Sequence, residues 1–247
     1  IMQCEYYLAT GDPRVLPWIE RCINWMPTTS HTSKWQMPCF GHGPGGLPYG
    51  QKALMAPLAH MLVFEALAER CGIDVKDDRG EPRGIWEIAL PYCLHSWSDP
   101  QDGGHGAMGY NASYKDLGEF WSRSGLFATT TYLRDTHPEI RAALGQIMFQ
   151  RHPWMRNSHA YGAPGNVLGL LGLHLADAQK FELVMSQWGW SFLGAWHPGK
   201  GLRWSMPHMG APYMGEDVLI HPMYLTLLST KRKGLHISGA KDRNWLS

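Results

Sequence analysis

Hydrophobic residues recur at helical spacing through most of the chain. After the pair Asp12-Pro13, for example, Val15, Ile19 and Ile23 would line one face of a helix. The same spacing predicts helices over residues 2–9, 51–72, 117–134, 138–150, 164–177, 179–196 and 215–231. No run alternates between apolar and polar positions as a half-buried strand does. The pattern therefore predicts an all-α protein.

Glycine and proline mark where several of these helices begin and end. Gly11 follows the first helix as a C-terminal cap, and Asp12-Pro13 offers an N-cap and a proline for the first position of the next helix. Pro91 leaves the helical pattern over 84–97 ambiguous. Leu235–Ser238 is the one short piece that the pattern suggests as extended.

Four Gly-rich loops, each carrying a histidine, divide the helical chain into repeats. The histidines are His42, His105, His159 and His208, and a predicted helix follows each loop. They recur roughly every 50 to 60 residues, which is the length of a helix, a turn and a returning helix. Each period therefore fits one helix hairpin, and all four loops would lie at the same end of the molecule.

Sequential helix hairpins stack as an open solenoid or curl into a closed ring, the α/α toroid. Solenoids have tighter repeats and shorter loops, whereas these loops are long and rich in glycine and aromatic residues, so we favour the toroid. Residues 1–247 are predicted to form one such domain. Roughly four to five hairpins are visible, fewer than a six-hairpin ring needs, so the ring is incomplete or is continued by further chain. A helix already under way at Ile1 indicates a segment of a longer protein.

Composition narrows the classes of function. The formal net charge is +1 with scattered Lys and Arg, which does not resemble a nucleic-acid-binding surface. No apolar stretch reaches the length of a transmembrane helix. The five cysteines include no CxxC pair, which argues against a disulfide framework or a structural zinc site and leaves one or two disulfides open. The 12 tryptophans and 28 glycines suggest tight loops over an aromatic-lined cavity or, equally, an aromatic-rich core.

Two stretches resemble known toroid families. The run Gly103–Tyr110, with Glu119–Gly125 after it, resembles the Gly-aromatic loops of the terpenoid-cyclase and protein-prenyltransferase superfamily. The stretch His159–Trp204 is similar to an uncharacterised bacterial toroid family, often found with PDZ domains in larger exported proteins. The resemblance covers residues 100–240 best. It implies the toroid fold, an exported (periplasmic or extracellular) location and other domains on the same chain, and it implies no established reaction.

The carboxylate motifs of that superfamily are not reproduced. Class II terpene cyclases use an Asp-x-Asp-Asp acid, whereas the stretch Asp74–Asp78 has one residue too many. The stretch Asp77–Glu81 is close to a magnesium-binding DDxxD motif, but Gly80 and Pro82 prevent its carboxylates from sharing a helix face. A terpenoid or other apolar ligand is therefore the alternative and not the leading hypothesis.

The sharpest cluster of reactive side chains lies in the third loop, at Arg156, Asn157, His159 and Tyr161. Toroid polysaccharide lyases resemble this cluster in residue type. Asn or Arg neutralises a uronate carboxylate, which acidifies the adjacent proton, and His or Tyr then removes that proton. The structural alternative is that Asn157 caps a helix and His159 packs against the loop. The leading prediction is a carbohydrate-processing enzyme that acts on a small-molecule or polysaccharide ligand.

Residues of the other loops complete the predicted site. His105 and Tyr110 are predicted as further catalytic groups. The predicted ligand-binding residues are His42, Asn111, Arg123, Arg203, Trp204, His208, Glu216 and Asp217. Among them, Trp204 offers a flat aromatic face on which a sugar ring can stack.

Other hypotheses remain open. A glycoside hydrolase would use Glu216 or Asp217 as its general acid, paired with Glu119 or Asp102, although acidic residues are also favoured in a first helical turn by the helix dipole. A further hypothesis is zinc held by the four loop histidines, and no other cofactor is predicted. The chain could instead be a non-catalytic binding or scaffold module of an exported protein.

Overall fold

The computed structural model describes residues 1–41, 53–76, 81, 84–115, 117–118, 120–157, 163–194, 196–199, 201–202 and 216–240. These residues are mostly helical, as the sequence predicts. The helices are α1 Met2–Thr10, α2 Leu16–Trp25, α3 Met55–Arg70, α4 Ile85–Ser96, α5 Phe120–Leu133, α6 Pro138–Gln150, α7 Ala163–Ala176, α8 Ala178–Leu193 and α9 Glu216–Leu228. None of these described helices is long and apolar enough to cross a membrane.

Two short antiparallel hairpins accompany the helices. Strand β1 (His31–Thr32) pairs with β2 (Pro38–Cys39), with His31 opposite Cys39. Strand β3 (Trp196–His197) pairs with β4 (Gly201–Leu202). Each strand is only two residues long, which is too short for hydrophobic alternation to reveal it in the sequence.

The predicted boundary signals at the start of the chain are confirmed. Gly11 adopts the left-handed conformation, with φ 71°, and its N–H donates to the carbonyl oxygen of Tyr7 at 2.7 Å. The side chain of Asp12 accepts from the N–H of Arg14 at 3.1 Å. Asp12 opens a single 3₁₀ turn, Pro13–Val15, and α2 begins after that turn.

The ambiguous segment around Pro91 is one continuous helix, α4. Its first N–H groups donate to the carboxylate of Glu65 on α3, from Ile85 at 2.5 Å and from Trp86 at 2.9 Å. Glu65 is fully buried and also pairs with Arg134 at 3.0 Å. A carboxylate from another helix therefore caps α4 and satisfies N–H groups that a helix start leaves open.

The prediction of an extended piece at Leu235–Ser238 is wrong. Residues His236–Ser238 form a 3₁₀ helix, because the carboxylate of Glu5 accepts from the N–H groups of His236 at 2.9 Å and Ile237 at 2.7 Å. Glu5 lies on α1, so this cap joins the first helix to the last described segment of the chain. The sequence around one partner of such a pair contains no sign of the other partner.

Alternate helices form the centre of the molecule. α3 packs on α5, α5 on α7, and α7 on α9, while α4, α6 and α8 contact these central helices from the outside. All but one of the residues of α5 are buried, whereas α8 exposes Leu183, Trp190 and Leu193. A helix follows each of the four loop histidines in the sequence, as predicted.

Helices α5 and α7 run parallel in close contact. A Cβ on Gly169 would overlap the ring of Trp121, and one on Gly172 would overlap the backbone of Gly125, so the contacts advance in the same direction along both helices. Trp121 also donates from Nε1 to the carbonyl oxygen of Asn166, at 3.4 Å. The N-terminal turns of α5 and α7 therefore lie side by side.

The C-terminal ends of the central helices meet at the other end, which we call the base. Arg70, the last residue of α3, donates to the carbonyl oxygen of Leu133, the last residue of α5, at 3.1 Å. Leu175 near the end of α7 approaches Gly239, which follows the 3₁₀ helix that Glu5 caps. α1 thus closes the base.

Candidate functional site

A cleft of about 490 Å³ opens beside the N-terminal end of α3. We call it the aromatic cleft. Its lining residues are His31, Thr32, Ser33, Lys34, Trp35, Ala53, Leu54, Tyr110, Asn111, Ser113 and Tyr114. The first five come from strand β1 and the turn after it, the next two from the approach to α3, and the last four from the end of the second Gly-rich loop.

The hairpin turn forms the first wall. Ser33 donates from its N–H to the carbonyl oxygen of Met37 at 2.8 Å, and Gln36 takes the left-handed conformation that reverses the chain. The half-buried ring of Trp35 packs on α4, with its centroid 6.2 Å from that of Tyr92 and 5.8 Å from that of His95. Because α4 supports the indole from behind, its position does not depend on the hairpin alone.

Lys34 sits directly over this indole. Its Nζ lies 4.6 Å from the centroid of the Trp35 ring, and its side chain is exposed. A cation over the face of an aromatic ring is attracted by the ring quadrupole. The first wall therefore presents an aromatic face and a positive charge at the same place.

A tight turn over residues 110–114 forms the second wall. The Asn111 side-chain oxygen accepts from the N–H groups of Ser113 at 2.8 Å and Tyr114 at 3.1 Å, and Tyr110 donates from its N–H to the carbonyl oxygen of Tyr114 at 2.7 Å. Asn commonly makes this local turn with its own backbone. It brings Tyr110 and the 63%-exposed Tyr114 to the cleft together.

Arg123 supports the second wall from below. The residue is fully buried on α5, its guanidinium carbon lies 5.3 Å from the centroid of the Tyr110 ring, and Nη2 donates to the carbonyl oxygen of Gly118 at 2.5 Å. Such a buried guanidinium fixes the aromatic ring above it and the loop beside it. Its position favours a role in holding Tyr110, and the residue does not line the cleft itself.

Backbone hydrogen bonds join the two walls through the floor. Leu54 donates to the carbonyl oxygen of Phe40 at 3.0 Å, and Met55, the first residue of α3, donates to that of Tyr110 at 3.1 Å. The Tyr92 hydroxyl donates to the carbonyl oxygen of Ala53 at 3.2 Å. Burial raises the pKa of Tyr92 to about 12, so the phenol remains a donor even at mildly alkaline pH. These hydrogen bonds fix the position of the backbone that forms the floor of the cleft.

His31 has a ring nitrogen beside the aromatic cleft that is left without a hydrogen bond from the residues that the structure describes. Its Nε2 is buried and makes no hydrogen bond within the described part of the chain, although the residue lines the cleft. A buried polar atom without a partner costs about 1 to 3 kcal/mol. A ligand in the cleft would remove that cost once the imidazole turned to expose this nitrogen, because the atom has almost no accessible surface in the structure.

The structure places four of the predicted site residues. Tyr110 and Asn111 line the aromatic cleft, and Arg123 lies beneath Tyr110. His105 is exposed and lines neither this cleft nor the second cleft described below. Its N–H donates to the hydroxyl of Ser98 at 3.0 Å, which fixes the loop and leaves the imidazole at the surface.

The remaining predicted residues lie outside the described part of the structure. This holds for His42, His159, Tyr161, Arg203, Trp204 and His208, for Glu119 of the hydrolase hypothesis, and for the side chains of Arg156, Asn157, Glu216 and Asp217. The backbone of Asn157 ends the 3₁₀ segment His152–Asn157, and Glu216 begins α9. The third-loop cluster therefore stays a prediction.

The zinc hypothesis also stays a prediction. Within the described ranges, no group of three or more His, Cys, Asp or Glu side chains is arranged to hold a metal ion. Of the four loop histidines, His105 alone falls within those ranges.

Sequence reasoning missed the whole first wall. His31, Lys34 and Trp35 lie between α2 and the first Gly-rich loop, where no periodic pattern identifies an element. The available signal was local: a cation beside a tryptophan, next to Ser33 and ahead of Pro38, is typical of an exposed turn that presents an aromatic face.

A second, more polar cleft of about 610 Å³ adjoins the C-terminal end of α4. Its lining includes His95, Asp99, Asp102, Lys115, His137 and Glu139. Asp99 already accepts from the N–H of Gln101 at 2.8 Å, and His137 lies 3.3 Å from Glu139. Asp102, one of the carboxylates of the hydrolase hypothesis, therefore belongs to a cleft other than the aromatic one.

A family model described as a domain of unknown function, DUF6288, matches residues 1–81. The matched part spans α1 to α3 and includes the first wall of the aromatic cleft and its floor at Ala53 and Leu54. The second wall and α4 to α9 lie beyond it. No curated protein and no solved structure matches the chain.

Proposed function

We propose that the chain binds an acidic carbohydrate in the aromatic cleft and processes it as a polysaccharide lyase. The observation that carries this proposal is the composition of the lining. Three aromatic residues, Trp35, Tyr110 and Tyr114, share one cleft with the cation of Lys34 and the imidazole of His31.

The chemistry of sugars suits this lining. A sugar ring has apolar C–H faces that stack on aromatic side chains and polar edges that need hydrogen-bonding partners. Lys34 carries a charge over the face of the indole, and it would pair with a uronate carboxylate once its flexible side chain moves aside and the sugar ring stacks there. A volume of about 490 Å³ fits a short oligosaccharide segment.

The same groups can perform an elimination. A cation beside the carboxylate stabilises the negative charge that develops when the adjacent carbon loses its proton. His31 or Tyr110 accepts that proton, a carbon–carbon double bond forms, and the bond to the leaving sugar oxygen breaks. A second proton donor then protonates that oxygen. The predicted third-loop residues, Arg156 to Tyr161, are candidates for this second half of the site.

The helix packing supports a toroid as the scaffold of this site. Successive contacts of α3, α5, α7 and α9 provide an inner layer, with α4, α6 and α8 outside it. The hydrogen bond from Met55 to Tyr110 and the adjacent first turns of α5 and α7 support an arrangement in which the loops before α3, α5 and α7 share one end. In this proposal the fourth loop, which precedes α9, lies at the same end of the molecule.

Titration of the intact protein with oligouronides of increasing length tests the proposal. We expect tryptophan fluorescence to report binding, and ultraviolet absorbance to report the unsaturated product. Trp35→Ala should weaken binding at least about tenfold, the equivalent of one lost stacking contact. Tyr110→Phe and His31→Asn should reduce turnover with smaller effects on binding.

Trp18→Ala is the matched control. Trp18 is also a half-exposed indole with a cation over it, since the guanidinium carbon of Arg21 lies 5.0 Å from its centroid, but it does not line the cleft. Binding without any product would overturn the lyase reaction and leave a binding module. Equal losses of affinity in the two tryptophan variants, or no binding at all, would contradict a binding site in the aromatic cleft.

A further inference from the structure

Two cysteines meet at the base of the molecule. Cys4 lies on α1, and Cys71 follows the last residue of α3. The Cys71 thiol donates to the backbone carbonyl oxygen of Cys4, with 3.8 Å between sulfur and oxygen. Both residues are buried, with exposed fractions of 0% and 5%. The two cysteines therefore meet inside the contact between two helices that are far apart in sequence.

We propose that Cys4 and Cys71 are a redox pair that forms a disulfide under oxidising conditions. The structure records both as free thiols. Neighbouring sulfur atoms need little backbone movement to reach bonding geometry, and cysteines whose side chains point apart cannot be joined in this way. The bond would join α1 to the end of α3 directly.

The oxidant is a small-molecule disulfide, and the reaction is two successive exchanges. The Cys4 thiolate attacks one sulfur of the oxidant, which forms a mixed disulfide and releases one thiolate. Cys71 loses its proton and attacks the Cys4 sulfur of that mixed disulfide, which forms the internal bond and releases the second thiolate. The two protein thiols lose two electrons and two protons, and the oxidant becomes two thiols.

The environment of the pair assigns Cys4 the first step. The hydrogen bond from Cys71 lowers the pKa of the Cys4 thiol, whereas that bond and burial raise the pKa of Cys71. A thiolate, and not a thiol, is the attacking species. Because both sulfurs are shielded, exchange requires α1 to separate briefly from α3 or takes place before the two helices dock.

The consequence is a covalent link at the base, opposite the aromatic cleft. α1 carries both Cys4 and Glu5, and Glu5 caps the 3₁₀ helix at His236–Ser238. A link at Cys4 would therefore secure the helix that already closes the base. Cross-links that enclose long loops restrict the unfolded chain most, and this one encloses nearly seventy residues, about a quarter of the chain.

The test equilibrates the intact protein in glutathione buffers of increasing disulfide content, followed by acid quenching, alkylation and digestion without reduction. We expect a Cys4–Cys71 linked peptide that increases with the oxidised fraction of glutathione. The oxidised protein should melt about 10 °C higher than the reduced protein. Alkylation of both residues in the most oxidising buffer, or pairing of Cys71 with a different cysteine, would overturn the proposal.

Two variants separate the pair from the other thiols. Cys71→Ser should abolish the linked peptide and make the melting temperature insensitive to the glutathione ratio. Cys93→Ala removes a thiol that is equally buried, on α4, and should leave both results unchanged. The linked peptide is read on the unaltered chain, so the conclusion does not depend on whether a variant folds.

Discussion

Gly125 of α5 and Gly172 of α7 touch backbone to backbone, with no side chain between them. A Cβ at Gly172 would overlap the carbonyl group of Gly125, and a Cβ at Gly125 would lie 2.5 Å from the Cα of Gly169. Real Cβ atoms do not approach backbone atoms so closely. The two helices of the central layer can therefore pack at this distance only because these positions are glycine.

The first prediction concerns this contact. Gly125→Ala should destabilise the protein by about 3 kcal/mol or more, because the added methyl meets rigid backbone and forces the helices apart. Gly189→Ala is the matched control, since Gly189 also lies within a helix but has nothing within 4 Å of an added Cβ. There we expect a gain of about 0.5 to 1 kcal/mol from helix propensity. Urea unfolding of both variants checks the difference in sign, and a mild effect at Gly125 would contradict the close contact.

The second prediction concerns pH and Glu65. Burial raises the pKa of this carboxyl to about 7, against the opposing effect of Arg134. The folded protein therefore keeps the proton up to about pH 7, while the unfolded chain releases it near its ordinary value of 4.5. The contribution of Glu65 to stability is fully present below about pH 4.5 and is lost as the pH rises through 7. The difference amounts to about 3 kcal/mol.

Unfolding measured between pH 4.5 and pH 8 checks this sign. The free energy of unfolding of the wild type, minus that of Glu65→Gln, should decrease over this interval, because Gln cannot lose a proton. If this difference increases with pH, the hydrogen bonds from Ile85 and Trp86 and the ion pair with Arg134 stabilise the ionised carboxylate by more than burial destabilises it. Glu20→Gln, at an exposed position of α2, is the control and should leave the trend in place.

The third prediction concerns the cap that joins the two ends of the described chain. Glu5→Ala leaves the N–H groups of His236 and Ile237 without their acceptor, and His236 is only 4% exposed. We expect a loss of about 2 to 3 kcal/mol and faster hydrogen exchange at these two amides. Glu20→Ala, at an exposed position of α2, should change stability by less than about 0.5 kcal/mol. Unchanged exchange at His236 would show that the cap does not hold this segment.

These long-range carboxylates also explain where sequence reasoning succeeded and where it failed. Gly11 and Asp12 make hydrogen bonds with nearby residues, so the pattern alone identified the end of α1 and the cap at Asp12, although that cap opens a 3₁₀ turn ahead of α2. The start of α4 depends on Glu65, twenty residues earlier, and the 3₁₀ helix at His236 depends on Glu5, at the opposite end of the chain. A window of local sequence contains neither partner.

The candidate site likewise contains residues that the sequence predicted and residues that it did not. Tyr110 and Asn111 were predicted because glycines and aromatics mark their loop. Trp35 joins them only through the packing of the hairpin on α4 and through the hydrogen bonds of Leu54 and Met55. Spacing along the chain cannot reveal that a turn beside residue 35 faces a turn beside residue 110.

The last prediction concerns the choice between acidic and neutral sugars. If Lys34 pairs with a uronate carboxylate at the aromatic cleft, Lys34→Gln should weaken binding of an acidic oligosaccharide about tenfold. Binding of a neutral oligosaccharide of the same length should be unchanged, because stacking on Trp35 does not require the charge. Arg21→Gln is the control, since it removes a cation over an indole elsewhere on the surface. Calorimetric titration of both sugars against the three proteins measures the ratio of affinities. If Lys34→Gln weakens both sugars equally, the lysine only positions the Trp35 ring, and the acidic specificity of the proposed function is wrong.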